Sequence, residues 1–150
     1  MGGAGPCSGW GVIYTSTDGV IWTWQTMGQT MYEVIWDSKQ FVTVGGMISR
    51  LTGGVILSSP DGISWKDLPV VAHSDETTFN TISYSGDLYI VLGRGVEWGG
   101  SYKEFGFLLT SNDGKVWNTQ YLPPAFYSLS DITWGNNQFV VVGSEIWTSP

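Results

Sequence analysis

A seven-residue pattern, Ser-x-Asp-Gly-x-x-Trp, occurs three times in the chain and restricts its fold more than any other feature. An Asp-Gly pair between β-rich runs is a strong hairpin signal, because Gly accepts a positive φ and the Asp carboxylate accepts hydrogen bonds from nearby backbone N–H groups. The Trp then begins the return strand and packs over the turn. We therefore predict a tight, structural turn at each copy. The residues assigned to these turns are Ser16, Asp18, Gly19, Trp22, Ser59, Asp61, Gly62, Trp65, Ser111, Asp113, Gly114 and Trp117.

A second pattern recurs between these turns. An apolar residue begins a short strand, a turn-rich segment follows, and an apolar run closes on a Gly eleven positions after the first residue. Each copy is therefore interpreted as two antiparallel strands joined by a short hairpin. With the Asp-Gly turn this gives four strands per unit, labelled A, B, C and D in chain order. The three copies of the second pattern span residues 34–45, 82–93 and 132–143.

The two patterns together divide the chain. Residues 1–10 are Gly-rich and are predicted to form a flexible N-terminal tail, whereas residues 11–150 form the repeat region. In strand labels the repeat region reads C-D, A-B-C-D, A-B-C-D and A-B-C. The serines that begin the C–D turns, with Ser149 as the fourth, lie 43, 52 and 38 residues apart, which is the spacing of propeller blades.

On these motifs, residues 11–150 resemble the Asp-box (bacterial neuraminidase repeat) β-propellers, which include sialidases, xyloglucan-active glycoside hydrolases, sortilin-type receptors and photosystem assembly factors. The resemblance implies an all-β fold of β-propeller blades, each a four-stranded antiparallel sheet. It also implies that the Asp-box turns are structural and that ligands bind the opposite face. The chain holds about three blades, fewer than the ~4–8 of a closed propeller, so we expect a partial propeller completed by oligomerisation.

Composition agrees with this fold and excludes several function classes. The 9 Trp, 7 Tyr, 6 Phe and 21 Gly with only 13% charged residues favour short aromatic strands and tight turns. A net charge of −7 argues against nucleic acid and anionic membrane surfaces as partners. Neither a signal peptide nor an apolar run of ~20 residues is present. The single Cys7 leaves the localisation undetermined, with an inclination to the cytoplasm.

The side-chain inventory does not favour catalysis by the isolated chain. Sialidase chemistry needs three arginines around a substrate carboxylate, and this chain has only Arg50 and Arg94. No His/Cys/Asp cluster has metal-ligand spacing, so neither a metal nor a cofactor is expected. We therefore expect a non-catalytic binding or scaffold module for a protein or glycan ligand. The alternatives are a fragment of a sialidase-like or xyloglucanase-like glycoside hydrolase without a complete catalytic set, and a purely structural role in an assembly.

The candidate ligand face follows from blade geometry. In an up-and-down blade the A–B and C–D turns share one face, so the B–C and D–A connections share the other. The longest connections, residues 94–105, 46–54 and 68–79, are of this second kind, and charged and aromatic residues on long loops form a ligand platform. Variable surface loops without a ligand are the simpler alternative. The candidate binding residues are Arg50, His73, Arg94, Glu97, Trp98, Tyr102 and Lys103.

Most tryptophans occupy repeat positions and are predicted to fill the space between neighbouring sheets. These are Trp22, Trp36, Trp65, Trp117, Trp134 and Trp147, with Trp24 on the same strand face as Trp22.

The strand count also predicts a homo-oligomer. Three blades cannot close a ring, and an open arc would expose apolar blade faces at both ends. A head-to-tail dimer gives six blades, with the terminal A-B-C and C-D strands combining into one mixed blade. One C strand is then redundant, so either residues 11–15 or residues 145–150 are expected to be displaced.

Overall fold

The computed structural model describes residues 11–46, 53–70, 77–98, 102–123, 129–143 and 146–148. These residues form β-strands joined by turns and contain no helix, so no helix among them could cross a membrane. The strands of this part of the chain are β1 (Gly11–Thr15), β2 (Thr23–Met27), β3 (Met31–Trp36), β4 (Phe41–Gly45), β5 (Val55–Ser59), β6 (Lys66–Asp67), β7 (Thr77–Tyr84), β8 (Tyr89–Trp98), β9 (Tyr102–Ser111), β10 (Asn118–Tyr121), β11 (Asp131–Gly135), β12 (Gln138–Val142) and β13 (Ile146–Thr148).

The strands form four antiparallel sheets in which spatial order follows chain order. Sheet 1 is β1–β2, sheet 2 is β3–β6, sheet 3 is β7–β10, and sheet 4 is β11–β13. Strands β3, β7 and β11 are the A strands of sheets 2, 3 and 4. The predicted all-β class with four-stranded antiparallel blades is confirmed.

Local turn chemistry fixes the A–B hairpins. In the β11–β12 hairpin the two central residues, Asn136 and Asn137, have φ of 48° and 58°, the left-handed conformation that a two-residue hairpin loop requires. In the β3–β4 hairpin, Oδ1 of Asp37 accepts hydrogen bonds from the backbone N–H groups of Lys39 and Gln40, both at 2.8 Å. These turns set the register and therefore the face that each strand residue occupies.

The hydrophobic core lies between the sheets. Strand β7 contacts β3 and β4 on one side and β11 on the other, so sheet 3 is packed between sheets 2 and 4. The cluster between sheets 2 and 3 consists of Val42, Val44, Ile56, Phe79, Ile82, Tyr89, Val91, Phe107 and Leu109. The cluster that joins sheets 3 and 4 consists of Ile90, Leu92, Ile132 and Phe139. Alternate residues of β8 thus serve the two interfaces, as the period of two along a strand requires.

A buried polar contact joins sheets 2 and 3 beside this core. The hydroxyl of Tyr89 in sheet 3 donates a hydrogen bond to Oδ2 of Asp37, which is 3% exposed. Burial by itself raises the pKa of the Asp37 carboxyl, but the hydrogen bonds from Tyr89, Gln40 and Lys39 outweigh it and leave the pKa below its ordinary value. Burial and the bond to Asp37 raise the pKa of Tyr89. The contact therefore holds an ionised carboxylate between two sheets.

Two predictions, one about a loop and one about buried tryptophans, need correction. Residues 94–105 are not a long loop, because β8 and β9 continue as paired strands from Arg94↔Gly106 to Trp98↔Tyr102. Within this segment Gly95 lies under an aromatic ring, since a Cβ there would meet the Phe105 ring at 2.4 Å.

Trp22, Trp24 and Trp36 do not fill a space between sheets, since each is more than half exposed. Trp24 lies on sheet 1 and Trp36 on the A strand next to it. Sheet 1 holds only two strands, β1 and β2, in the described part of the chain, so the surfaces on which these rings would pack are absent there.

We expect Tyr89→Phe to lower the free energy of unfolding by about 1–3 kcal/mol, because it leaves a buried carboxylate oxygen without its donor. Urea denaturation at neutral pH measures this. The matched control is Tyr14→Phe, which removes a hydroxyl from a ring that is 56% exposed and should change stability little. Equal effects of the two substitutions would contradict the assigned role of the Asp37–Tyr89 contact.

Candidate ligand-binding face

The two ends of each sheet carry different chemistry. The Asp-Gly turns connect β1 to β2, β5 to β6 and β9 to β10, so they lie at the end of the sheets where the A–B hairpins also turn. The β4–β5 and β8–β9 connections lie at the opposite end. We call this opposite end the B–C face.

The Asp-Gly turns are saturated with internal hydrogen bonds. In the second turn, Oδ1 of Asp61 accepts from the backbone N–H groups of Ile63 at 2.8 Å and Ser64 at 2.7 Å, and from the hydroxyl of Ser59 at 2.8 Å. Gly62 has φ of 72°, and its carbonyl accepts a bond from Nε1 of Trp65 at 3.2 Å. The same contacts recur around Asp18 and Asp113.

These hydrogen bonds also set the electrostatics of the turns. The backbone N–H groups of Ser64 and Ile63 hold the pKa of Asp61 well below its ordinary value. Backbone N–H groups lower the pKa of Asp18 and of Asp113 in the same way. The three carboxylates are therefore ionised and directed into their own turns.

The B–C face carries a projecting hairpin. Strand β7 pairs with β8 only as far as Thr77↔Gly95, whereas β8 and β9 continue together through Val96↔Glu104 and Glu97↔Lys103 to Trp98↔Tyr102. We call residues 94–98 and 102–106 the β8–β9 projection. They form a ribbon of two paired strands that continues from sheet 3.

Three of the predicted binding residues and the backbone of two more meet in this projection, but on two faces. Because directly paired residues share a face, Glu97 and Lys103 lie together on one face of the ribbon. Arg94 lies on the other face, as do the backbone positions of Trp98 and Tyr102. Arg94, Glu97 and Lys103 are all exposed.

The remaining predicted binding residues, Arg50 and His73, lie outside the described residues. The projection is therefore the part of the predicted site whose geometry is defined.

A row of polar side chains on the inner strands was missed by the sequence analysis. Glu33, Thr81 and Asp131 occupy the same position in β3, β7 and β11, directly before the apolar start of each A–B pattern. Oε2 of Glu33 accepts hydrogen bonds from the Ile82 backbone N–H at 2.6 Å and from the Thr81 hydroxyl, which also lies 2.9 Å from Oδ1 of Asp131. The shared repeat position was the signal that could have revealed this row.

The hydrogen bonds of the inner row mainly link neighbouring sheets. A hydroxyl has a single proton, so Thr81 donates to only one of the two carboxylates at a time. Glu33 satisfies a backbone N–H of β7 and thereby joins sheets 2 and 3. The described residues contain no group of three or more His, Cys, Asp or Glu able to hold a metal ion.

Two solved structures are similar to this chain in fold. YCF48 bound to D1 peptide matches with a TM-score of 0.60 and 18% identity over 97% of this chain and 41% of that chain. Penicillium chrysogenum α-L-arabinanase complexed with arabinobiose matches with a TM-score of 0.62 and 11% identity over 91% of this chain and 50% of that chain. Both are β-propellers. The chain therefore has a β-propeller-type fold.

The likeness extends to the fold alone at these identities. The chain spans about half the length of the arabinanase structure and less than half of the YCF48 structure. No protein-family model matches it, and no curated protein is significantly similar to it in sequence.

We expect Gly62→Val to destabilise the protein by about 1–3 kcal/mol, because an L side chain is strained at φ of 72°. The matched control is Gly135→Val, since Gly135 has no positive φ and open space around an added Cβ. Denaturant midpoints compare the two variants. Similar midpoints would show that the second Asp-Gly turn does not depend on its glycine.

We also expect the three Asp-Gly turns to make the protein sensitive to acid. Each carboxyl has a lowered pKa in the folded state, so its stabilising effect is complete above about pH 4 and is lost as the pH falls towards the folded value. Asp61→Ala should lower stability at neutral pH and reduce the difference from the parent chain below about pH 4. Urea titrations at several pH values measure this, and an unchanged difference at low pH would contradict it.

Proposed function

We propose that the chain is a non-catalytic β-propeller module of the Asp-box type whose B–C face binds a polypeptide. The observation that carries this proposal is the β8–β9 projection, in which two paired strands with exposed charged side chains continue past the end of β7. A projection with this geometry is a recognition element attached to a rigid scaffold.

The internal structure of the projection favours binding. Phe105 and Phe107 cover Gly95 and Gly93, so the ribbon is ordered by packing as well as by strand pairing. An ordered ribbon loses little conformational entropy when a ligand binds, whereas a long loop would lose more. The ribbon also carries two basic residues, Arg94 and Lys103, and two acidic residues, Glu97 and Glu104. A polypeptide with charged side chains of both signs would find complementary groups there.

The resemblance to YCF48 supports a polypeptide ligand, while the resemblance to the arabinanase is compatible with a glycan. The matched YCF48 structure holds a peptide, and the match extends over nearly the whole of this chain. A glycan ligand remains the competing outcome of the same experiment.

We expect Lys103→Glu to abolish or weaken by at least about tenfold the binding of peptides selected on the immobilised parent chain, because it reverses the charge at position 103 and places two carboxylates opposite each other. The probe is a display library of random peptides, screened beside a glycan array. The matched control is Lys115→Glu, the same charge change at an exposed position in the third Asp-Gly turn, on the other end of the sheet. The control should keep full affinity.

Three results would overturn the proposal. Selection of no peptide, equal loss of affinity in the two variants, or selective binding of glycans would each exclude a polypeptide site on the β8–β9 projection.

A second candidate function rests on the inner row. Glu33 and Asp131 both contact the Thr81 hydroxyl, which brings two carboxyl groups together. Retaining glycosidases use a pair of carboxyl groups about 5–5.5 Å apart. The arabinanase resemblance is compatible with a glycoside hydrolase fragment. The bond from the Ile82 N–H to Glu33 favours the structural role instead. Assays with arabino-oligosaccharides, sialosides and β-glucans separate the two, and hydrolysis that is lost in Glu33→Gln would establish the enzyme.

We further propose that the arc closes by pairing with a second copy into a six-bladed dimer. The support is the exposed apolar surface on sheet 1 and on the neighbouring strand β3 of sheet 2. Its side chains are each more than half exposed: Tyr14, Trp24, Tyr32, Val34 and Trp36. Light scattering at low micromolar concentration should give twice the 16.4 kDa chain mass. A stable, folded particle of the single-chain mass would exclude the dimer.

A further inference from the structure

A groove separates sheet 1 from the inner strands of sheet 2. It has a volume of about 470 Å³ and is lined by β1, β3 and β4, with Tyr14, Tyr32 and Val34 among its side chains. Among the described residues, strand β1 pairs with β2 alone, so its other edge has no partner strand there along the same groove.

The groove lies where the A and B strands of sheet 1 are expected. In sheet 2, the A and B strands β3 and β4 carry Val42 and Val44, which pack against Ile82 of the next sheet. Sheet 1 has C and D strands, β1 and β2, but the described residues supply no A and B strands for it. The exposed face of β3 is therefore the surface that such a pair would cover.

The chain itself contains an A–B pair whose C strand is replaceable. Strands β11 and β12 are followed by β13, which pairs with β12 through three residue pairs, Val140↔Thr148, Val141↔Trp147 and Val142↔Ile146. The sequence Ile13-Tyr14-Thr15-Ser16 around β1 closely matches Ile146-Trp147-Thr148-Ser149 around β13. Strand β1 is longer, at five residues, and already carries its own D strand.

We propose that β1 of one copy replaces β13 on β12 of a second copy, which makes a mixed sheet β11-β12-β1-β2. This proposal rests on the dimer proposed above and specifies its site. The register follows from that of β13: Val142 opposite Ile13, Val141 opposite Tyr14, and Val140 opposite Thr15.

The surfaces brought together by this exchange are the ones now exposed. Thr133, Val140 and Val142 share the face of β11–β12 that lies opposite the face of Ile132 and Phe139, which packs on sheet 3. In the mixed sheet that outer face lies against Tyr32 and Val34 of the groove, which are both more than half exposed. The three residue pairs on β12 are kept, β2 is added to the sheet as its outer strand, and apolar surface on both copies is buried.

Cysteine pairing between copies tests the register directly. In a Cys7→Ser background, Tyr14→Cys chains are mixed with Val141→Cys chains and oxidised. A disulfide between positions 14 and 141, identified by peptide mass spectrometry, is expected because directly opposed strand residues lie within disulfide range. The matched control is a single chain that carries both Val141→Cys and Trp147→Cys, whose internal 141–147 link should be absent from the dimer because that pairing is displaced.

Proline substitutions at the equivalent positions of the two C strands give opposite predictions. Thr148→Pro weakens β13 and should tighten the dimer by about threefold or more, whereas Thr15→Pro should weaken it by about tenfold, because each removes a backbone donor. Sedimentation equilibrium measures the dissociation constants.

The outcomes separate the exchange from the dimer and from peptide binding. A dimer without the 14–141 link, or one that Thr148→Pro weakens, overturns the strand exchange while the dimer stands. A monomer overturns both and leaves the peptide screen unaffected, since the projection belongs to sheet 3.

Discussion

Packing between the faces of neighbouring sheets holds this protein together, because no sheet encloses a core of its own. Val91 and Ile90 are adjacent on β8, yet Val91 belongs to the interface with sheet 2 and Ile90 to the interface with sheet 4. Each strand is thus committed to two neighbours by its period of two. Everything else in the molecule, from the turn register to the direction of the projection, depends on this alternation being kept.

The sequence was sufficient for features that depend on a few consecutive residues. The strand-rich fold follows from the regular spacing of turns, and the contacts of Asp61 and Gly62 follow from the chemistry of an Asp-Gly pair. The sequence was misleading where a residue acts through a partner in another strand. The segment that contains Gly95 was predicted to be a loop. In the structure the Phe105 ring covers Gly95, and only strand pairing brings these two residues together.

The inner row shows a different limit. Glu33, Thr81 and Asp131 share a repeat position, but their contact depends on how far one sheet is rotated relative to the next, which no local pattern specifies. The exposure of Trp24 and Trp36 also depends on structure that no local pattern specifies. Both residues have the spacing of core residues, and whether they are buried depends on the presence of a neighbouring sheet.

The position of sheet 3 between two interfaces has a consequence for how the molecule loses its structure. In an array where each unit contacts only its neighbours, stability is a sum of local interfaces, and an outer unit can open while the inner ones stay folded. Sheet 3 is held on both sides by apolar clusters, whereas the contact of sheet 1 with sheet 2 includes polar bonds from Thr15 and Gln25 to the Gly62 carbonyl. Opening therefore proceeds from the ends of the arc inwards, so the strands that carry the projection are the last to lose their order.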